Sequence, residues 1–196
     1  MPDTARPRIE GQTFSGPDAE IPSLEGAEVL DCAFRGCALS EASLRGTHLS
    51  ECSFDGCELA MVDVADALLH GVRFEGCRLT GVRFGDVRRD ALGLTAAFES
   101  CDLELASFRD LDLRNVAFRG CDLREAVFQD CDLREADLSG SDLAGASFRH
   151  ADLTGADLRG ARNYVIAACE NAVAGLRVEL PEALGLLAGL RVRLEG

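Results

Sequence analysis

The chain has 196 residues and a formal net charge of −14 at pH 7, from 34 acids against 20 bases that are all Arg, and it contains no Trp. The acidic excess argues against a binder of nucleic acid or of an anionic membrane, and no apolar run approaches the ~20 residues of a membrane span. Met1 to Gly11 lacks a signal peptide's apolar core, so a cytoplasmic protein is expected, one long enough to bury a real core.

Residues 1–13 read as a lead-in, and from Phe14 a period of five takes over. Leu24, Val29, Phe34 and Leu39 open a run in which every fifth residue through Phe84 is Leu, Phe or Val. A second run, in a shifted frame, goes from Phe98 through Leu103 and Phe108 to Leu158, and all ten Phe sit on this grid. Calling the Leu/Phe position i, eight of the nine Cys occupy i−2, where Ala otherwise dominates. Cys is therefore expected to serve as a small buried residue interchangeable with Ala, reduced and without metal. Fourteen residues separate Phe84 from Phe98, where ten or fifteen would hold the frame. Reading Phe74 to Phe98 as one coil plus four residues places a four-residue insertion within Asp86 to Thr95. Asp86, Arg88, Arg89, Asp90 and Leu92 are candidate contact residues there, with Leu92 or Leu94 packing back. The loop is either a tolerated bulge or a binding element carried on a rigid scaffold.

In the second run, acids recur at i−1 as Asp102, Asp122, Asp142 and as Asp112, Asp132, Asp152, each set spaced by twenty. Residues 98–160 carry 14 acids against 7 Arg and residues 1–97 carry 16 against 9, whereas the remainder is balanced at 4 and 4. After Ala161 the period stops. Residues 161–196 form a tail in which Asn163 to Ile166 should close the core. Leu180, Leu184, Leu187 and Leu190 have helical spacing behind Pro181. Such a short apolar helix serves as a lid or as a contact to a second copy.

A period of five fits neither the 3.6 of a helix nor the 2 of a strand. It fits a chain that turns a corner every five residues, with i and i−2 inward and i−1, i+1 and i+2 outward. The twenty-residue columns give the coil four sides, and coils stack through parallel ladders ~4.8 Å apart. Each inward Leu or Phe stabilises the stack by roughly 1.5–3 kcal/mol. Gly at i+2, as in Gly36, Gly46, Gly56 and Gly120, suits a corner with φ > 0.

In residues 14–160, this pattern resembles the pentapeptide-repeat proteins. The resemblance implies an all-β, right-handed quadrilateral parallel β-helix with a short C-terminal tail. In the tail, Ala161-Arg162-Asn163-Tyr164, Asn171 and Leu180-Pro181-Glu182-Ala183-Leu184 look like the ending of the subgroup that holds the Qnr, AlbG and McbG proteins. That likeness implies a head-to-head homodimer through Tyr164, Leu180, Leu184, Leu187 and Leu190. It also implies an acidic rod that mimics DNA, binds DNA gyrase or topoisomerase IV, and relieves topoisomerase poisons such as quinolones or albicidin. Where the subgroup has Asp-Pro and Phe-Ser this chain has Ala167-Ala168 and Val178-Glu179, and the missing Ser removes an expected capping box.

Roughly seven coils at ~4.8 Å make a rod of about 34 Å, close to one turn of B-DNA. The Asp columns have a second reading, since Asp before a turn accepts a backbone N–H. His48, His70 and His150 fall on outward positions with no nucleophile or metal partner implied by spacing. A filled core leaves no room for a substrate, so neither catalysis nor a cofactor is expected. The competing reading is a β-helical scaffold for an unrelated protein partner, with no direct nucleic-acid binding and no membrane contact in either case.

Overall fold

The computed structural model describes residues 6–89 and 94–187. Among these residues nine strands, all paired parallel, run up two adjacent sides of the coil and join through β7: β1 (Arg8–Glu10), β2 (Thr13–Ser15), β3 (Glu28–Leu30), β4 (Ala33–Arg35), β5 (His48–Ser50), β6 (Ser53–Asp55), β7 (Leu68–Glu75), β8 (Thr95–Glu99) and β9 (Ala117–Arg119). The register is the twenty-residue period: Ile9 pairs with Val29, Val29 with Leu49, and Leu49 with Leu69. On the next side Phe14, Phe34, Phe54 and Phe74 pair in succession. Single parallel bridges such as Asp102 to Asp122 and Asp122 to Asp142 carry the other sides. The result is a four-sided parallel solenoid.

The backbone accounting of one repeat explains why the sequence has these residue types. Around Leu59, the Glu58 N–H donates to Cys37 O of the preceding coil, Leu59 N–H to Arg78 O and Met61 N–H to Thr80 O of the next. The Val62 N–H closes the corner on Leu59 O. Four of the five N–H groups are thus paired, and the group left over is that of i+1. An Asp at i−1 supplies its acceptor, as where Ala65 N–H donates to Asp63 Oδ1 at 2.9 Å. The corner itself needs φ near +60° at i+2, met by Gly36 (φ 58°) and Gly56 (φ 58°) but also by Glu41 (φ 59°) and Asn115 (φ 61°).

The core is filled by ring stacks. Phe14, Phe34, Phe54, Phe74, Phe98 and Phe118 form one column with successive centroids 4.6–5.2 Å apart. Phe84, Phe108, Phe128 and Phe148 form a second, which meets the first edge to face. Pairs of this kind contribute roughly 0.5–1.5 kcal/mol beyond burial. Beside them the Cys are not equivalent to Ala. Cys57 Sγ donates to Phe34 O at 3.3 Å and Cys77 Sγ to Phe54 O at 3.3 Å. Ser141 Oγ and Thr47 Oγ1 make the same bond, to Phe118 O at 2.7 Å and Leu24 O at 2.6 Å. These thiols are inward hydrogen-bond donors to the coil beneath, a role Ala cannot fill. Burial holds the Cys52 thiol up at about 11.

The two runs join as the spacing requires. Phe74 stacks on Phe98 and Phe84 on Phe108, each pair separated by twenty-four residues. The Arg88 N–H still donates to Ala67 O in the twenty-residue register, whereas Ala96 pairs with Val72 in the shifted one. The four extra residues therefore enter between Arg88 and Ala96, where the ladder slips between His70 and Val72.

At both ends the ladder outruns the sequence period. It begins with β1, and past Ala161 it continues as Asp152 bridges Ala172 and Asp157 bridges Arg177. Asn171 stitches this coil by accepting the Ala151 N–H at 2.9 Å and donating to Ala167 O at 3.0 Å. Tyr164 and Ile166 are buried over the last core layer. The expected short helix is a 3-10 turn, Glu182–Leu187. Its Glu182 carboxylate accepts the Asn163 N–H at 3.0 Å.

Candidate protein-binding surface

The acidic columns lie in the expected lines, but each Asp is engaged by the fold. Asp112, Asp122 and Asp132 take the i+1 N–H of Arg114, Arg124 and Arg134 at 3.2, 3.2 and 3.3 Å. Each of those Arg side chains folds back on the same carboxylate, at 2.6, 2.7 and 2.5 Å. Asp142 is held by Arg162 at 3.0 Å and by Asn163 Nδ2 at 2.9 Å. Asp102 accepts Thr80 Oγ1 at 3.0 Å, and Asp152 accepts the Thr154 N–H at 3.0 Å. The Arg hydrogen bonds hold Asp112, Asp122 and Asp132 below the usual carboxylate range, and the Asn163 hydrogen bond does so for Asp142. These columns are first a turn-closing device, and their charge is largely met by Arg.

The uncompensated charge sits one step along, at the corners. Glu41 and Glu125 share one edge, and Asp31, Glu51 and Glu135 share another; none has an ion pair among the described residues. Glu51 lies across Gly71, Glu125 across Gly145 and Glu135 across Gly155, each carboxylate occupying space that a Cβ would need. The signal was present in the sequence as acids at i+2 whose i+1 neighbour is either not a base (Leu30, Ser40, Ser50) or an Arg that turns back to the i−1 Asp (Arg124, Arg134). It was hidden because every outward position looked alike there.

The insertion's flanks are bound to the rod. Asp86 belongs to the coil: Asp66 N–H donates to its carbonyl, and Arg83 Nε lies 3.2 Å from its carboxylate. Arg88 reaches His48 Nε2 at 3.5 Å, and Arg89 is ion-paired with Asp110. Leu94 is buried, whereas Asp90 and Leu92 lie outside the described residues. Where the register slips, an open groove of about 620 Å³ forms on the outside, lined by Glu51, Arg73, Thr95, Asp112, Arg114 and Asn115. The core is filled as the sequence implied, but the surface is not featureless there; Gly71 and the frame slip were the available clues.

Of the dimer candidates, Leu180 and Leu184 are exposed and Leu187 partly so, which leaves an apolar patch on the tail. Tyr164 is corrected: its side chain is 2% exposed and caps the core from inside, because the tail folds over it, so it has no surface to offer a second copy. Leu190 lies outside the described residues. Among those residues no helix is long and apolar enough to cross a membrane.

Family models match on both sides of the insertion. The pentapeptide repeat region matches residues 27–89, and the pentapeptide repeats (8 copies) match 96–130 and 126–162. Together they span more than half of the chain, which belongs to the pentapeptide-repeat family and has its right-handed quadrilateral β-helix. Among solved structures the chain is similar to QnrB1, a plasmid-mediated fluoroquinolone resistance protein. The identity is 20% and the TM-score 0.48, over 97% of this chain and 98% of that one. It is also similar to HetL, a pentapeptide repeat protein involved in heterocyst differentiation regulation from the cyanobacterium Nostoc, at 20% identity and a TM-score of 0.47, over 88% and 84%. No curated protein sequence matches the chain significantly.

Proposed function

We propose that this protein binds DNA gyrase, topoisomerase IV or both as a DNA mimic and protects them from topoisomerase poisons, in antibiotic resistance or self-immunity. The observation that carries the reading is a net charge of −14 borne on a coil whose tail is neutral, with corner carboxylates that have no ion pair among the described residues. A topoisomerase surface built to hold phosphates would meet those edges with the same Arg and Lys groups. The tail from Ala161 to Leu187, which resembles that of the Qnr subgroup, supports the choice of partner. In this reading the protein acts without catalysis or cofactor, by occupying the DNA path.

A second reading, a β-helical scaffold for an unrelated protein, is favoured by one specific observation. The Asp columns close turns and are clamped by Arg, which any repeat of this kind could use for folding alone. Competition separates the two. With gyrase immobilised, the protein should bind, and added duplex DNA should displace it, with affinity falling steeply as salt rises. Binding that DNA leaves untouched would contradict mimicry.

A further inference from the structure

We infer that one corner of the rod, the apolar ridge of Met61 and Leu105, is a contact site for the partner, an apolar pocket rimmed by cationic side chains. The inference rests on the topoisomerase reading above. The corner is defined by its ladder: Glu41 N–H donates to Ala60 O, Met61 to Thr80 O, Gly81 to Glu104 O, Leu105 to Arg124 O and Glu125 to Ala144 O. Glu41, Met61, Gly81, Leu105 and Glu125 therefore follow one another along a single edge. At ~4.8 Å per coil they span roughly 19 Å.

Met61 and Leu105 are anomalous on two counts at once. Both hold left-handed backbone, at φ 55° and 61°, a conformation that a bulky side chain disfavours and Gly or Asn accepts. Among the described residues, twelve of the fourteen non-Gly positions with positive φ are Asp, Glu, Ser, Asn or His, and these two are the exceptions. Both side chains are also in solvent, 63% and 57% exposed, so core packing gives nothing back for the strained backbone. Scattered exposed apolar residues need no explanation, but these two share an edge with only Gly81 between them. Met61 lies across that glycine, its Sδ taking the place of a side chain there. Beside it a shallow hollow of about 280 Å³ is lined by Met61, Val62, Gly81, Arg83 and Asp86.

The flanks name the chemistry of the occupant. Glu41 and Glu125 stand at the two ends of the ridge, exposed and without an ion pair among the described residues. A carboxylate, two apolar side chains and a second carboxylate in line match a pocket of apolar floor and Arg or Lys rim. The phosphate edge of DNA has no such apolar feature, so the ridge would distinguish this protein from the duplex it mimics and confer selectivity on a contact that charge alone leaves unspecific.

The test exploits the strain. Met61→Gly with Leu105→Gly relieves the backbone at both corners, so the double variant should unfold at the wild-type temperature or above it. Its affinity for immobilised gyrase should nonetheless fall at least tenfold. Met61→Asn with Leu105→Asn, which also tolerates left-handed backbone, should lose affinity equally and supplies the result if the Gly pair fails to fold. Folded variants that bind gyrase as tightly as wild type overturn the ridge and leave the topoisomerase reading standing. Wild-type protein that binds neither immobilised gyrase nor immobilised topoisomerase IV overturns both.

Discussion

Asp157 condenses the residue-scale logic of this fold. Its Oδ1 accepts the Arg159 N–H at 3.0 Å, and its other oxygen meets Arg159 at 2.6 Å and Arg177 at 3.6 Å. Asp157→Ala should cost about 1–3 kcal/mol, because it leaves that N–H unpaired at a corner. Asp157→Asn keeps the acceptor and should cost less than half as much; urea unfolding of the two variants checks the order. The same hydrogen bonds set the pH response. Arg159 lowers the Asp157 pKa in the folded state, and Arg114, Arg124 and Arg134 do likewise for Asp112, Asp122 and Asp132. A depressed folded pKa contributes stability that is full above the unfolded value of about 4 and lost as pH falls through the folded one. The unfolding midpoint should therefore be level from about pH 5 to 7 and decline below pH 4. The thiols give a second residue-scale check. Cys169 is exposed and the other eight are buried, so a thiol reagent should label one Cys in the native protein and nine after unfolding. The Asp and Cys positions were legible in the sequence as a pattern, but their bonding was not. That Cys donates to a carbonyl depends on which carbonyl of the coil beneath faces inward, and composition carries no trace of it.

At the scale of elements, the repeat was readable because one inward residue in five, kept over many coils, leaves few alternatives. The twenty-residue columns even located the insertion, since Phe74 had to meet Phe98 and Phe84 had to meet Phe108. What stayed hidden was the behaviour of segments without the period. Asn171 to Arg177 continue the coil by backbone ladder and by the partly buried Val173 and Leu176; Val173 and Val178 fall back on the grid, but Asn163 and Ala168 break it before them. Tyr164 looked available for a dimer because nothing in the sequence shows that the tail folds over it. Removing Asp90 to Gly93 restores the twenty-residue frame, so the shortened rod should fold with unchanged circular dichroism and a similar melting temperature. If the insertion touches the topoisomerase, this variant loses protection; equal protection would make the insertion a passenger.

For the whole molecule, sign and shape were legible while the location of the charge was not. Counting acids pointed to the Asp columns, yet Arg114, Arg124 and Arg134 fold onto those, and the carboxylates without an ion pair among the described residues stand at corners such as Glu41, Glu51, Glu125 and Glu135. A mimic of this design would present its charge along edges, with ladder spacing fixing the interval. The exposed Leu180 and Leu184 place an apolar patch on the neutral tail, where a second copy would extend the rod. Leu184→Asp should then convert a dimer to a monomer by light scattering. The most direct test of the central claim is a gyrase supercoiling assay in the presence of a fluoroquinolone or albicidin, titrated with this protein. Supercoiling should return at protein concentrations that do not themselves inhibit the enzyme. No relief of either poison by folded protein across the whole titration, here and in the matching topoisomerase IV decatenation assay, would contradict topoisomerase protection.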